Sequence, residues 1–333
     1  VRAALAGCAV QVLRCGAEPS VDAVNTALAQ ITMRPDVMVA CGGGSVMDMA
    51  KALAVLAEAG VALPDDFAAL DPRLLAHRTP IRLIALPTTA GTGAELTGNA
   101  VIDVPSKGAK ISLRGHAVFP DIAIIDPQLM AGALPRVALH AGLDALTQPV
   151  EAHTSRFATP STLALTAQTV PMALRALPNV VVGGTIEDWS QMAWAALASG
   201  LALSYGGLGA AHGLAAVLGA RFGAPHVALC GRLLLHVQCA NRAAADGSAA
   251  ARLAHCYAWI SKAFTSTDPD PFVRVGRVVR CQRPAPPCRL RCQAGSDCRP
   301  FSAGRGGLVQ PEERRCSAAC GLNQNPARRF PRT

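Results

Sequence analysis

The chain has 333 residues, 51% of them apolar but only 4% aromatic, and a mean hydropathy of +0.29, which is enough for two domains with cores built mostly from Ala, Val and Leu. Its formal charge of +9 is unevenly placed: residues 271–333 hold thirteen Arg against three acidic residues, whereas residues 1–270 are close to neutral. The body therefore has no basic face for nucleic acid, and no charged segment followed by an apolar run opens the chain as a secretory signal would.

Residues 4–13 (ALAGCAVQVL plus its flank) end in an apolar run that reads as a strand. Ser20 is then placed to cap a helix whose stripe is Val21, Val24, Leu28 and Ile31. DVMVAC at 36–41 is a short apolar run before a glycine cluster, as in a buried parallel strand, and 46–56 returns to helix. Strands are expected again at 81–86 and 122–125, the second stopped by Asp126-Pro127. Alternation of strand and helix predicts a parallel α/β sheet covered on both faces. A boundary falls near residues 127–136, and from Leu134 to about Phe264 helical periodicity dominates. Within it, Met192–Ala220 carries no charged side chain; by length it could span a bilayer, but its Gly, Ser and His content fits closely packed buried helices, so no membrane span is expected.

The last 63 residues differ in kind. They hold six of the twelve Cys, eight Pro, and no Lys, Ile or Met. Cys288, Cys292 and Cys298 lack the paired knuckles of zinc ribbons. A disordered basic tail is one reading; a shifted reading frame in a GC-rich gene is the favoured one, since such codons yield Arg, Pro, Ala, Gly and Cys. The body cysteines, Cys8, Cys15, Cys41, Cys230, Cys239 and Cys256, are scattered and read as small buried hydrophobes in a reducing cytoplasm.

Four stretches carry chemistry. In CGGGSVMDMAK (41–51) a strand ends, three glycines turn and a helix begins with Ser45 as a possible cap, an arrangement that presents free N–H groups and a positive dipole to a phosphate. PTTAGTGAEL (87–96) delivers Thr hydroxyls and exposed amides at the next strand end, where open α/β sheets bind ligands. In GLDALTQPVEAH (142–153), Asp144 and Gln148 share a helix face at i, i+4, with Glu151 nearby, whereas His153 lies about half a turn away and drops out as a ligand unless Pro149 breaks the helix. Finally, His212 and His226 stand fourteen residues apart in HGLAAVLGARFGAPH, and two His facing one Asp would make a two-His, one-carboxylate metal site.

Taken together, GGGSVMDMAK, LPTTAGTGAEL, the DPQL, LP and GLDALT run, and GLGAAHGLAAVLGARFGAPH resemble the iron-containing (group III) alcohol dehydrogenases over roughly residues 4–264. The resemblance implies an N-terminal Rossmann-like dinucleotide-binding domain (1–130, its first strand missing before Val1), a helical metal and substrate domain (131–265), and an atypical tail (266–333). It implies that Gly43, Gly44, Ser45, Asp48, Thr88, Thr89, Thr92 and Lys110 contact NAD or NADP. The family's metal ligands, an Asp and three His, map onto Asp144, Gln148, His212 and His226, with Fe2+ or Zn2+ as the metal.

Several positions depart from the pattern. Gln148 stands where the first His ligand is usual and can offer only an amide oxygen. Ala216 replaces a His linked to proton transfer, and Val227 replaces a Gly. No acid occurs at Leu13–Arg14 to select NAD over NADP. The implied function is hydride transfer between a nicotinamide cofactor and a small alcohol, aldehyde or oxo-acid in a homo-oligomer. Two alternatives stand beside it. One is a maleylacetate-reductase-like enzyme with little metal dependence, its substrate carboxylate held by Arg221 or Arg232. The other is an inactive nucleotide-binding remnant.

Overall fold

A computed structural model describes residues 5–16 and 18–263; the readings of the tail, including Cys288, Cys292 and Cys298 and the shifted reading frame, lie outside the described residues. Helix α1 (Val21–Ala29) starts where the sequence places it, with Ser20 Oγ accepting the Ala23 N–H at 3.2 Å. It buries Val21 and Val24, and Leu28 and Ile31 pack on the same core although Ile31 lies past the helix end. Strand β1 (Val37–Gly42) follows, then α2 (Gly44–Ala59), the single turn α3 (Arg73–Ala76), and strand β2 (Arg82–Pro87). β1 and β2 are parallel from the Val37–Arg82 pair to the Gly42–Pro87 pair. A short β5 (Ile122–Ala123) adds to the far side of β2.

The structure corrects three local expectations. Residues 9–16 form no strand: among the described residues β1 pairs only with β2, so this run has no ladder partner there, and Val10 and Val12 are about half exposed. For the same reason β1 is a sheet edge rather than a fully buried strand, with Val37 exposed. Ser45 is not the cap of α2, because the helix begins two residues earlier than expected, at Gly44, and Gly43 takes the cap position. In addition, an antiparallel ribbon of β3 (Asn99–Val104) and β4 (Ala109–Arg114) stands in a stretch for which the sequence analysis places no element. Its signals were the alternation of buried Ala100, Ile102 and Val104 with outward Asn99, Val101 and Asp103, and Gly108 at φ +57° in the turn.

After the one-turn α4 (Pro127–Met130), capped by Asp126, the chain is helical: α5 (Pro135–Thr154), α6 (Pro160–Val181), α7 (Ile186–Gly206), α8 (Ala210–Phe222), α9 (His226–Ala244) and α10 (Gly247–Ala263). Helix α5 is the hub. Leu143, Leu146 and Val150 pack with Val170, Leu174 and Leu177 of α6, Trp189 and Met192 of α7, Leu234 of α9 and Ile260 of α10. A Cβ on Gly142 would stand 2.3 Å from Leu177 Cδ1, so glycine here sets how closely α6 approaches α5. Helix α7 opens with a reciprocal capping box between Thr185 and Asp188.

No single helix among the described residues is long and apolar enough to cross a membrane; α7 and α8, which carry the uncharged segment, meet at 101°. Of the six body cysteines, Cys230 and Cys256 are buried as expected, but Cys8, Cys41 and Cys239 are exposed and Cys15 is half-buried. The exposed ones lie in the irregular N-terminal stretch, on the edge strand and on the outer face of α9, where no element covers them.

Candidate active site

A cleft of about 500 Å³ opens at the carboxyl ends of β1 and β2 and extends to α5, α8 and α9. At one end the chain leaves β1 through Gly42 and Gly43 and enters α2, whose first N–H groups, those of Gly44 and Ser45, have no preceding helical carbonyl to bond. The glycines also let the second loop approach. A Cβ on Gly43 would stand 3.1 Å from Thr89 Oγ1, and one on Gly44 would stand 3.0 Å from Thr92 Cγ2. Gly43, Gly44, Ser45, Asp48, Thr89, Thr92 and Lys110 all line the cleft. Thr88 does not; its N–H donates to Gly42 O at 2.9 Å, so it ties the two loops together instead of facing a ligand. Lys110, on β4, is paired with Glu18.

Below this loop lies a buried charge network that sequence reasoning missed. Lys51 is fully buried, and its ammonium donates to Thr97 O (2.8 Å), Asn99 O (2.8 Å) and Thr97 Oγ1 (3.2 Å). Burial lowers its pKa to about 8, against the charges of Asp48 and Glu95. Burial likewise raises Asp48 to about 6, against the Lys51 charge, and raises Glu95. Lys51 thus anchors α2 to the start of β3 and fixes the loop above it. A lysine three residues after Asp48 in an otherwise apolar helix was the available signal.

At the other end, Asp144 and Gln148 share one face of α5, as their spacing predicts, and both are buried. Asp144 Oδ1 lies 3.2 Å from His212 Nε2. Glu151, one further turn along α5, accepts the Ala211 N–H at 2.7 Å and holds His212 Nδ1 at 2.5 Å, so it orients both the start of α8 and its imidazole. Burial opposes charge on His212, but its bonds to Asp144, Cys230 and Glu151 outweigh this and hold its pKa well above the ordinary value. His226 opens α9, its ring centroid 5.7 Å from that of His212, and burial lowers its pKa against the pull of Asp144. Its Nδ1 is buried without a hydrogen-bond partner. Cys230, one turn along α9, places Sγ 3.5 Å from His226 Nε2, and burial pushes its thiol up to about 12.

Gln148 behaves differently from the ligand its position suggests. Its amide nitrogen donates to Thr92 O and to Asp144 Oδ2, both at 3.1 Å, while its oxygen accepts from Ser199 Oγ at 2.8 Å. Thr92 O can only accept, so the network fixes the nitrogen on the Asp144 side. His153 stays away from the cleft: α5 runs through Pro149 without a break, and His153 Nδ1 bonds Thr166 Oγ1 at 2.7 Å beside His255 and Trp259. Arg221 and Arg232 do not line the cleft either. Arg221 lies over the Phe222 ring at 5.6 Å and Arg232 is exposed on α9, whereas Arg136 and His140 of α5 do line it.

The donors present suit a divalent transition metal. A buried carboxylate bonds His212, and one ring nitrogen from each of His212 and His226 lies with Cys230 Sγ in a group whose members are all within 4.8 Å of one another.

Two family models match the chain in sequence order: iron-containing alcohol dehydrogenase over residues 1–127 and the Fe-containing alcohol dehydrogenase C-terminal region over residues 138–271. The chain belongs to the iron-containing alcohol dehydrogenase family. Among its family relatives, 1-propanol dehydrogenase PduQ of Citrobacter freundii is 35% identical over 66% of this chain and 56% of its own length. The probable alcohol dehydrogenase EutG of Salmonella typhimurium is 37% identical over 72% of this chain and 60% of its own. The chain thus spans somewhat over half the length of these relatives. The iron-containing alcohol dehydrogenase structure from Thermococcus thioreducens superposes with a TM-score of 0.64 at 29% identity, covering 80% of this chain and 68% of that one. A 1,3-propanediol oxidoreductase structure gives 0.66 at 26% identity, over 79% and 69% of the two chains.

Proposed function

We propose that this chain is an NAD(P)-dependent, metal-assisted oxidoreductase that moves a hydride between the nicotinamide and a small alcohol or aldehyde. The observation that carries the reading is one cleft with the Gly43–Ser45 helix start at one end and the Asp144, His212 and His226 cluster at the other. Residues 1–130 act as the dinucleotide-binding part and 131–265 as the metal and substrate part, in a cytoplasmic homo-oligomer. Fe2+ or Zn2+, when bound, supplies a Lewis acid that polarises the substrate oxygen and lowers an alcohol's pKa; the nicotinamide supplies the hydride chemistry.

The chain's own residues do the rest. The Gly44 and Ser45 amides and the α2 dipole hold the pyrophosphate, and Thr89 and Thr92 offer hydroxyls beside it. Asp144, His212 and His226 hold the metal. Glu151 fixes the ring orientation of His212 from behind. Gln148 serves as a positioning residue that restrains Asp144 through one carboxylate oxygen and leaves the other turned to His212. With Ala216 in place of an imidazole, His140 is the cleft-lining group suited to pass a proton; burial, Arg136 and Arg232 lower its pKa. Arg136 is also the cation an oxo-acid carboxylate would meet there.

Titration of the full-length protein with NADH and NADPH, followed by nicotinamide fluorescence, tests the cofactor half of this reading. Saturable binding of at least one is expected. Gly44→Val, which pushes methyl groups at Thr92 and over the helix start, should weaken it at least roughly tenfold, about 1.4 kcal/mol. Binding of neither nucleotide would leave the inactive remnant as the better account.

A further inference from the structure

We propose that Cys230 Sγ is a metal ligand, which joins His212 and His226 beside Asp144 in a site that prefers Zn2+ to Fe2+. The inference rests on the metal reading of this cleft and deepens it. The Gln148 amide is committed to Thr92, Asp144 and Ser199, so the position where the family pattern has a His ligand supplies no free donor. A replacement stands on another helix. His226 and Cys230 are one turn apart on α9, the same i, i+4 relation that joins Asp144 and Gln148 on α5, so both side chains project from one face toward His212.

His212, His226 and Cys230 offer donor atoms all within 4.8 Å of one another, and Asp144 adjoins them through its bond to His212. Two ligands on one tetrahedral zinc, with bonds of about 2.3 Å to sulfur and about 2.0–2.1 Å to nitrogen or oxygen, stand about 3.5 Å apart for a sulfur–nitrogen pair and about 3.3 Å for a nitrogen–oxygen pair. Cys230 Sγ is 3.5 Å from His226 Nε2, and Asp144 Oδ1 is 3.2 Å from His212 Nε2. Cys230 is fully buried and forms no disulfide, so neither exposure nor a cross-link explains a thiol at this place. Ligation displaces the thiol proton to solvent, and one thiolate with one carboxylate then supplies two negative ligands to a divalent ion. Sulfur is a soft donor, and a thiolate added to two imidazoles favours zinc over ferrous iron.

Full-length protein loaded with Co2+ tests this. One Co2+ per chain with an intense near-ultraviolet sulfur-to-cobalt charge-transfer band is expected; Cys230→Ser and Cys230→Ala should still bind Co2+, at least roughly tenfold more weakly, but without the band. Cys239→Ser should keep it. X-ray absorption at the zinc edge on unsubstituted protein holding one Zn2+ needs no variant and should show one sulfur at about 2.3 Å. A cobalt spectrum without the band, a band that survives loss of Cys230, or a zinc shell of only nitrogen and oxygen overturns the Cys230 assignment while leaving the metal reading intact. Failure to bind either metal overturns both.

Discussion

His212→Ala should lower stability by roughly 3–5 kcal/mol and abolish tight metal binding, because the imidazole stands between two buried carboxylates. Asp144 and Glu151 are each nearly inaccessible to solvent, and His212 bonds to both. Removing the ring leaves two negative charges of one helix facing a void, while the bond from the Ala211 N–H to Glu151 remains. The contribution depends on pH in a defined direction. The folded pKa of His212 is raised, so in metal-free protein its stabilisation is fully present below about pH 6.5 and fades as pH rises through the folded value. Denaturant unfolding of parent and variant at several pH values, with metal content measured on the same samples, checks both parts. A variant as stable as its parent at pH 6 would show that the carboxylates are not charged against the ring.

The second large effect is expected from Gly93→Ala. Gly93 sits at φ +63°, which costs an L-residue roughly 1–2 kcal/mol. The added Cβ would also stand 2.5 Å from Gly200 Cα, 2.7 Å from Gly200 N and 2.8 Å from Ala196 O, all backbone atoms of α7. Backbone cannot rotate aside, so the loop or the helix must move, at a further cost of about 1–3 kcal/mol. A total of about 2–5 kcal/mol is expected. Gly60→Ala separates the two causes: at φ +65° with nothing within 4 Å, it should cost only the conformational part. The displaced loop carries Thr92, whose carbonyl holds Gln148, so Gly93→Ala should also weaken nucleotide and metal binding in whatever fraction stays folded. Equal losses for the two glycine variants would mean that the Gly93–Gly200 contact is not tight in solution.

What was legible in the sequence was what local chemistry dictates. The strand, triple glycine and helix start at 41–51 show their geometry in residue types alone, as do the cap at Ser20 and the phase of α5, which joined Asp144 to Gln148 and set His153 aside. The β3–β4 ribbon was hidden because its alternation is short and its turn is spelled Pro-Ser-Lys-Gly, which lacks the usual two-residue hairpin signature. Lys51, Cys230 and the role of Glu151 were hidden for a different reason. Each takes its role from partners far along the chain: Lys51 from residues 97 and 99, Glu151 from 211 and 212, Cys230 from 144 and 212. A buried lysine, a glutamate on the edge of a helical face and a cysteine in an apolar helix look like packing until the fold brings their partners to them.

The reading of the cleft as one site, nucleotide at one end and metal at the other, is tested most directly by NAD(P)H oxidation with a short unbranched aldehyde. Full-length protein should turn over, lose that activity on exhaustive chelation, and regain it with Zn2+ or Fe2+, while Asp144→Asn should show none under any loading. Turnover that survives both chelation and Asp144→Asn, or its absence from protein shown to hold cofactor and metal together, would contradict that account.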